Sequence, residues 1–366
     1  MSPSRVEALP PYEYPAETKE KLQYAELEAL DISKLNEPGG KQALAKQVLS
    51  FINKNGFFYV VGHGFSDEEV RRQYALCEAF FDLPLEEKLK YQCDTASGDF
   101  RGYKPQSTGS AVLAARDNDE RYNIPKFTPE HSSRPHPALI RAHWDEIRAF
   151  SRKVHDSLLL PLLCLFAHVL ELPDEEHLAQ RHRYAAEGLE YLRYMKYHPR
   201  SPAADAGAGN VWARGHTDYN TLTFLFHQPV AGLQVRARDG AWRCVRSPRD
   251  AIIVNVADAL EFLSGGYLKS TVHRVVRPPE DQAGRARLSL IYFARPEAKV
   301  VLRPVESPLL KRLGLQGEGA GQRFAHEVTA EEWARARIAK DHRFRTRLVE
   351  QREKEIIAGV EQKYYD

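Results

Sequence analysis

The chain has 366 residues, 43% of them hydrophobic and 28% charged, which is the make-up of a globular protein with material for one large core or two modest ones. A formal net charge of +2 excludes any electrostatic reason to expect nucleic acid or an anionic membrane as partner. The longest apolar run, Leu158–Leu165, holds Pro161 and is far too short to span a bilayer, and residues 1–18 lack the apolar core of a signal peptide. Cys77, Cys93, Cys164 and Cys244 fall in no metal or redox spacing, as expected of reduced thiols. These features predict a soluble cytoplasmic monomer.

In chain order, residues 1–25 read as a loosely held arm. Leu30–Ser33 reads as a short strand, followed by a turn at Pro38-Gly39-Gly40. A helix from about Lys41 to Asn53 gathers Leu44, Val48, Phe51 and Ile52 on one side and stops at Gly56. Phe57–Val61 is a buried strand by length and residue type. Gly62-His63-Gly64-Phe65 turns the chain, and Ser66-x-x-Glu69 has capping-box spacing for a helix running towards Phe80-Phe81. His63, between two glycines, is a turn residue in this reading. Residues 104–137, rich in Pro, Ser, Asn and Asp, predict a long surface loop or flap. Leu139–Glu171 has helical periodicity, with a bend expected at Pro161.

From Leu189 onward the texture changes to short strands: Leu189–Tyr197, Thr221–Phe226, Gly232–Val235, Ala251–Val256, Thr271–Val276 and Ser289–Phe293. Their spacing suggests a sandwich or a closed roll. After Pro296 comes loop, then a charged helix from about Thr329 to the end. Its segment Arg335–Lys354 carries eight basic residues against three acidic ones. A solvated helix face is the simpler reading, and a lid over an acidic substrate the sharper one.

Two His-x-Asp pairs occur. His143/Asp145 lies in the helical stretch, where residues i and i+2 point apart and cannot share an ion. His216/Asp218 lies in strand-like sequence, where both side chains leave one face. With His273 from a later strand, they make two imidazoles and one carboxylate with an open far side, the ligand set of non-haem Fe(II) oxygenases. Arg287-Leu288-Ser289 places a guanidinium and a hydroxyl on one strand face, a chemistry suited to clamping a carboxylate.

The wider setting carries a resemblance. Asn55-Gly56-Phe57-Phe58…Gly62-His63-Gly64, Phe80-Phe81-x-Leu83-Pro84, Arg101-Gly102-Tyr103 and Asp119-Glu120-x-Tyr122-Asn123-Ile124 resemble the N-terminal part of isopenicillin N synthase-like 2-oxoglutarate/Fe(II)-dependent dioxygenases. The runs around His216, Val230–Val235, Val254–Ser264 and Tyr267–Val275 resemble that family's core.

The resemblance implies an α+β fold with a double-stranded β-helix (jelly-roll) core flanked by helices. It would comprise a helical N-terminal region with short strands (1–183), part of the same fold, then the β-roll core (184–300) and a C-terminal helical extension (301–366). It further implies that His216, Asp218 and His273 hold Fe(II). Arg287, Ser289 and Tyr197 would hold the distal carboxylate of 2-oxoglutarate. Many relatives carry Asn two residues before that Tyr, where this chain has Met195. The implied reaction uses O2, with ascorbate as reductant, to hydroxylate, desaturate or cyclise a small organic metabolite while releasing succinate and CO2. Tyr103, Tyr219, Phe226 and Phe293 are the candidate substrate contacts. The alternatives are an iron oxidase that does not use 2-oxoglutarate and a non-catalytic β-roll that binds a small ligand.

Overall fold

The computed structural model describes residues 9–106, 118–316, 327–346, 354–357 and 360–363. Twelve strands form two facing sheets. In chain order they are β1 (Ala29–Asp31), β2 (Phe57–Val61), β3 (Gly102–Lys104), β4 (Asp119–Pro125), β5 (Tyr191–Tyr197), β6 (Val211–His216), β7 (Leu222–Leu225), β8 (Leu233–Arg236), β9 (Trp242–Cys244), β10 (Ile252–Val256), β11 (His273–Val276) and β12 (Arg287–Ala294). The major sheet runs β1-β2-β10-β7-β12-β5-β4-β3 and the minor sheet β6-β11-β8-β9. The result is the expected α+β jelly roll, with the N-terminal strands completing both edges of the major sheet.

Alternation along the major sheet divides its residues between two environments. Phe58, Val60, Tyr122, Leu192, Tyr194, Phe224, Val254, Leu290 and Tyr292 point outward into one large core shared with the helices. Those helices include Gly40–Asn55, Asp67–Phe81, Trp144–Val154 and Leu160–Val169. Phe57, Tyr59, Leu225 and Ile253 point inward and meet Leu233, Val235 and Val245 near the minor sheet. Met195, Tyr197 and Ile291 likewise meet Trp212, Ala213 and Val275.

Local chemistry sets the element ends. Ser66 and Glu69 make the reciprocal capping box that their spacing predicts. Gly56 ends its helix at φ 61°, and a Cβ there would lie 2.1 Å from Thr271 Oγ1, so glycine is required twice over.

Several expectations need correction. The arm is anchored over its described part: Tyr12 is buried and stacks on Tyr74 at 5.0 Å, and Ala25 and Cys244 share a backbone hydrogen bond. The long helix at 139–171 is segmented. One break falls at His143, and a π turn at His155–Leu159 precedes Pro161. Proline has no N–H to donate, and the Leu160 N–H reaches His155 O, one residue further back than in an α-helix. The 104–137 stretch contains β4, seven residues paired with β5. Of the loop or flap expected over 104–137, residues 107–117 lie outside the described residues. The C-terminal helix is Ala330–Thr346 and does not continue to the end, since Lys354–Ile357 and Val360–Lys363 pair as an antiparallel hairpin. No helix of the described residues is long and apolar enough to cross a membrane.

Candidate active site

The antiparallel pairing of β6 with β11 places His216 directly opposite His273, with ring centroids 4.4 Å apart. The strand ends at His216, so Asp218 lies in the turn beyond it and not in the extended strand that the spacing suggests. The turn still returns its carboxylate to the imidazoles. Asp218 Oδ1 is 3.8 Å from His216 Nε2, and Oδ2 is 3.8 Å from His273 Nε2. One ligand-grade atom from each residue lies within 4.8 Å of the others, the one such group among the described residues. Two donors about 2.1 Å from a shared ion lie at most about 4.2 Å apart, a limit that both 3.8 Å separations meet.

Neighbouring groups prepare all three side chains. His216 Nδ1 lies 2.7 Å from Arg214 O and His273 Nδ1 3.2 Å from Thr271 O. A carbonyl can only accept, so each Nδ1 carries a proton, and in the neutral ring Nε2 is the atom left with a lone pair for a metal. Burial works against an ionised Asp218. In the metal-free protein the two histidines when protonated, with hydrogen bonds from Thr223 Oγ1 (2.7 Å) and Asn255 Nδ2 (3.1 Å), outweigh it and hold the carboxyl below its ordinary range. Neutral imidazoles beside a fixed carboxylate suit a first-row divalent ion. Phe57 packs edge-on against His273 at 5.4 Å.

Register brings a second group to the same side of the major sheet. Arg287 is opposite Tyr197, and Ser289 opposite Met195. Ile291 is opposite Arg193 and Leu225, and Phe293 opposite Tyr191 and Thr223. Thr223 is the residue that bonds Asp218, so the metal ligands lie level with this far part of β12. The Arg287 guanidinium donates to Ser289 Oγ (2.7 Å) and Val230 O (3.1 Å), with Tyr197 5.9 Å away. It is buried, and burial lowers its pKa from the ordinary arginine value. No carboxylate among the described residues pairs with it. Met195 packs with Tyr197 and Trp212.

The four expected substrate contacts separate. Tyr219 follows Asp218 and packs, with Phe293, beside Phe100, Tyr191, Ala334 and Ile338. Tyr103 and Phe226 are corrections. Tyr103 is opposite Tyr122 on the helix side, where its hydroxyl donates to Glu120 at 2.7 Å. Phe226 packs against Phe65 and Phe150 in the helical core. Both belong to the outward parity of their strands and face away from the metal ligands. His143 pairs with Glu146, and His63 Nδ1 accepts from the Phe65 backbone N–H, which keeps both out of the site.

The C-terminal helix contributes where the sequence suggested a solvated face. Arg337 is buried, pairs with Asp258 at 2.8 Å and donates to Thr217 O, between two of the ligands. The Asp258 backbone N–H in turn donates to Asp218 O at 2.9 Å. Arg193 and Arg295, also missed from the sequence, lie among the inward aromatics.

The chain belongs to the 2OG-Fe(II) oxygenase superfamily. Residues 179–296 match that superfamily, and residues 27–146 match the N-terminal region described as non-haem dioxygenase in morphine synthesis. It is therefore an oxidoreductase that works with Fe(II), 2-oxoglutarate and O2 on a small molecule, and its His-Asp-His group is the kind of site that iron requires. It is 31% identical over 306 residues to leucoanthocyanidin dioxygenase 1 of Oryza sativa subsp. indica, covering 81% of this chain and 77% of that one. It is 32% identical over 297 residues to the 2-oxoglutarate-dependent dioxygenase frbH of a Dothideomycetidae species, covering 78% and 87%. Among solved structures it is similar to a full-length Neurospora crassa protein in complex with alpha-KG and 5-formyluracil. That likeness has a TM-score of 0.73 and 25% identity, over 88% of this chain and 99% of the other.

Proposed function

We propose that His216, Asp218 and His273 hold Fe(II), and that Arg287, Ser289 and Tyr197 hold the distal carboxylate of 2-oxoglutarate. The substrate C–H group would then be oxidised on the inward side of the major sheet, beside Tyr219 and Phe293. The supporting observation is the joint placement of a three-donor group within 4.8 Å and a buried Arg287, with no carboxylate of the described residues paired to it, on the inward side of the sheets. For hydroxylation the balance is substrate, 2-oxoglutarate and O2 giving hydroxylated product, succinate and CO2; desaturation and ring closure are the variants open to the same site. Bound Fe(II) supplies the activation of O2.

The chain's own residues do the positioning. Asn255 and Thr223 fix the Asp218 carboxylate, while Arg214 O and Thr271 O fix the imidazole tautomers. Arg287 offers its remaining donors to a carboxylate, a charge-assisted contact that also sets the register of the bound acid. Ile291 and Leu225, opposite one another and half-buried, add apolar surface to the inward face. A small net charge and four free thiols support a cytoplasmic enzyme of small molecules, without nucleic acid as substrate. The test is succinate release as the concentration of 2-oxoglutarate is varied. Arg287→Ala should raise the apparent KM for 2-oxoglutarate about 30- to 100-fold, as for a lost charge-assisted contact. An unchanged KM would reassign the clamp.

A further inference from the structure

Four arginines are buried among the described residues: Arg193, Arg287, Arg295 and Arg337. A guanidinium withdrawn from water costs several kcal/mol unless a partner charge accompanies it. Arg337 has Asp258. Arg287 has no carboxylate of the protein, and 2-oxoglutarate fills that role in the function proposed above. Arg295 is in the same condition as Arg287, and the one carboxylate that acts on Arg193, that of Asp119, is already paired with Arg121.

Arg193 donates from Nε to Asn123 Oδ1 (2.7 Å) and from Nη2 to the Tyr191 hydroxyl (3.0 Å), both neutral acceptors. Arg295 donates from Nη1 to Leu189 O, and its buried Nε and Nη2 donate to nothing among the described residues. The nearby Glu190 does not neutralise it. That carboxylate accepts from the Tyr292 hydroxyl and the Arg295 backbone N–H, on the outward side of the sheet. Both guanidinium groups instead rest on inward-facing rings. Arg193 lies 4.7 Å from Phe293 and 5.1 Å from Tyr191, and Arg295 4.7 Å from Tyr191 and 4.8 Å from Tyr219.

Their position rules out service to the 2-oxoglutarate carboxylate. At about 3.3 Å per strand residue, Arg295 lies about 26 Å along β12 from Arg287, and Arg193, opposite Ile291, about 13 Å from it. The metal ligands fall between, level with Phe293. Arg287 thus stands at one end of the inward face for the cosubstrate and Arg295 beyond the metal level at the other, while Arg193, level with Ile291, reaches the same Tyr191 ring as Arg295.

We propose that the substrate is a small carboxylic acid with an aromatic or other flat apolar body. Its carboxylate sits against Arg193 and Arg295, and its body lies on Tyr219 and Phe293, which turns a C–H group towards the iron. The inference rests on the function proposed above and assigns its substrate class.

The test uses the anaerobic holoenzyme with Fe(II) and saturating 2-oxoglutarate, whose visible charge-transfer band reports an intact metal and cosubstrate site. Benzoate, phenylacetate and cinnamate are titrated beside benzamide, phenylacetamide and cinnamamide, following perturbation of the band. At least one acid is expected to bind about tenfold or more tightly than its amide, as for a retained charge pair. Arg193→Gln and Arg295→Gln should each remove that preference while the band and the 2-oxoglutarate affinity persist. Arg295→Lys, which keeps the charge, should retain part of it. Equal binding of acids and amides, no binding by any acid, or a preference that survives both glutamine substitutions would overturn the substrate class. Absence of the band from the unmodified protein would instead remove the function on which it rests.

Discussion

The two sides of the major sheet are built from the same strands and differ in almost every physical respect. On the outward side, side chains such as Tyr194, Phe224, Leu290 and Tyr292 are fully buried against helices. On the inward side, the same strands carry Arg287, Ser289, Arg193, Thr223 and Asn255, which are polar, largely buried and aimed at ligands or at one another. A shift of one residue would exchange these sets, so stability and chemistry are separated by strand parity alone. The outward side supplies the free energy that keeps uncompensated cations and metal ligands poised on the inward side.

Substitutions can test that division. The largest effect is expected from Asp218→Ala, which should abolish iron binding and turnover while the melting temperature of the metal-free protein changes little; full succinate release in this variant would break the assignment. On the outward side, Leu290→Ala should cost about 2–5 kcal/mol in stability by leaving a cavity, with 2-oxoglutarate KM unchanged in the folded fraction. Denaturant unfolding and steady-state kinetics check the two parts. Arg337→Met removes the guanidinium from Asp258 and Thr217 O and should weaken iron binding about tenfold, with Arg337→Lys recovering part of the loss. An iron affinity equal to that of the unmodified protein would reduce this contact to packing.

Acid should act first through buried histidines outside the metal site. Burial, above all, pushes His131, His136 and His182 down from 6.5 to about 4. Their folded values are depressed, so the unfolded chain takes up the protons first. The stability they contribute is complete above pH 6.5 and is lost as pH falls towards 4. Melting temperatures across that window should decline, and His136→Phe should flatten the slope. The smallest effect is expected from Tyr103→Phe, which removes one outward hydroxyl from Glu120 and should cost about 1–2 kcal/mol without altering substrate KM.

The candidate metal and clamp residues were legible because their chemistry is written in short spacings: His216-x-Asp218, Arg287-x-Ser289 and one more strand histidine. The parity of distant residues was harder to read. Tyr103 and Phe226 belong to segments that also carry site residues, but their sides are fixed by registers through β4, β5 and β7, and β4 lay in a stretch that reads as loop. A signal for the missed arginines did exist. Tyr191-x-Arg193-x-Met195-x-Tyr197 and Arg287-x-Ser289-x-Ile291-x-Phe293-x-Arg295 continue the inward parity of residues already singled out. Arg337 carried no such signal, because only folding brings the C-terminal helix against Thr217 and Asp258.

The most direct measurement is visible absorption during anaerobic addition of Fe(II) and then 2-oxoglutarate. A charge-transfer band should appear with the unmodified protein, require more 2-oxoglutarate in Arg287→Ala, and fail to form in His273→Ala. A band of equal strength and midpoint in all three proteins would contradict the central claim.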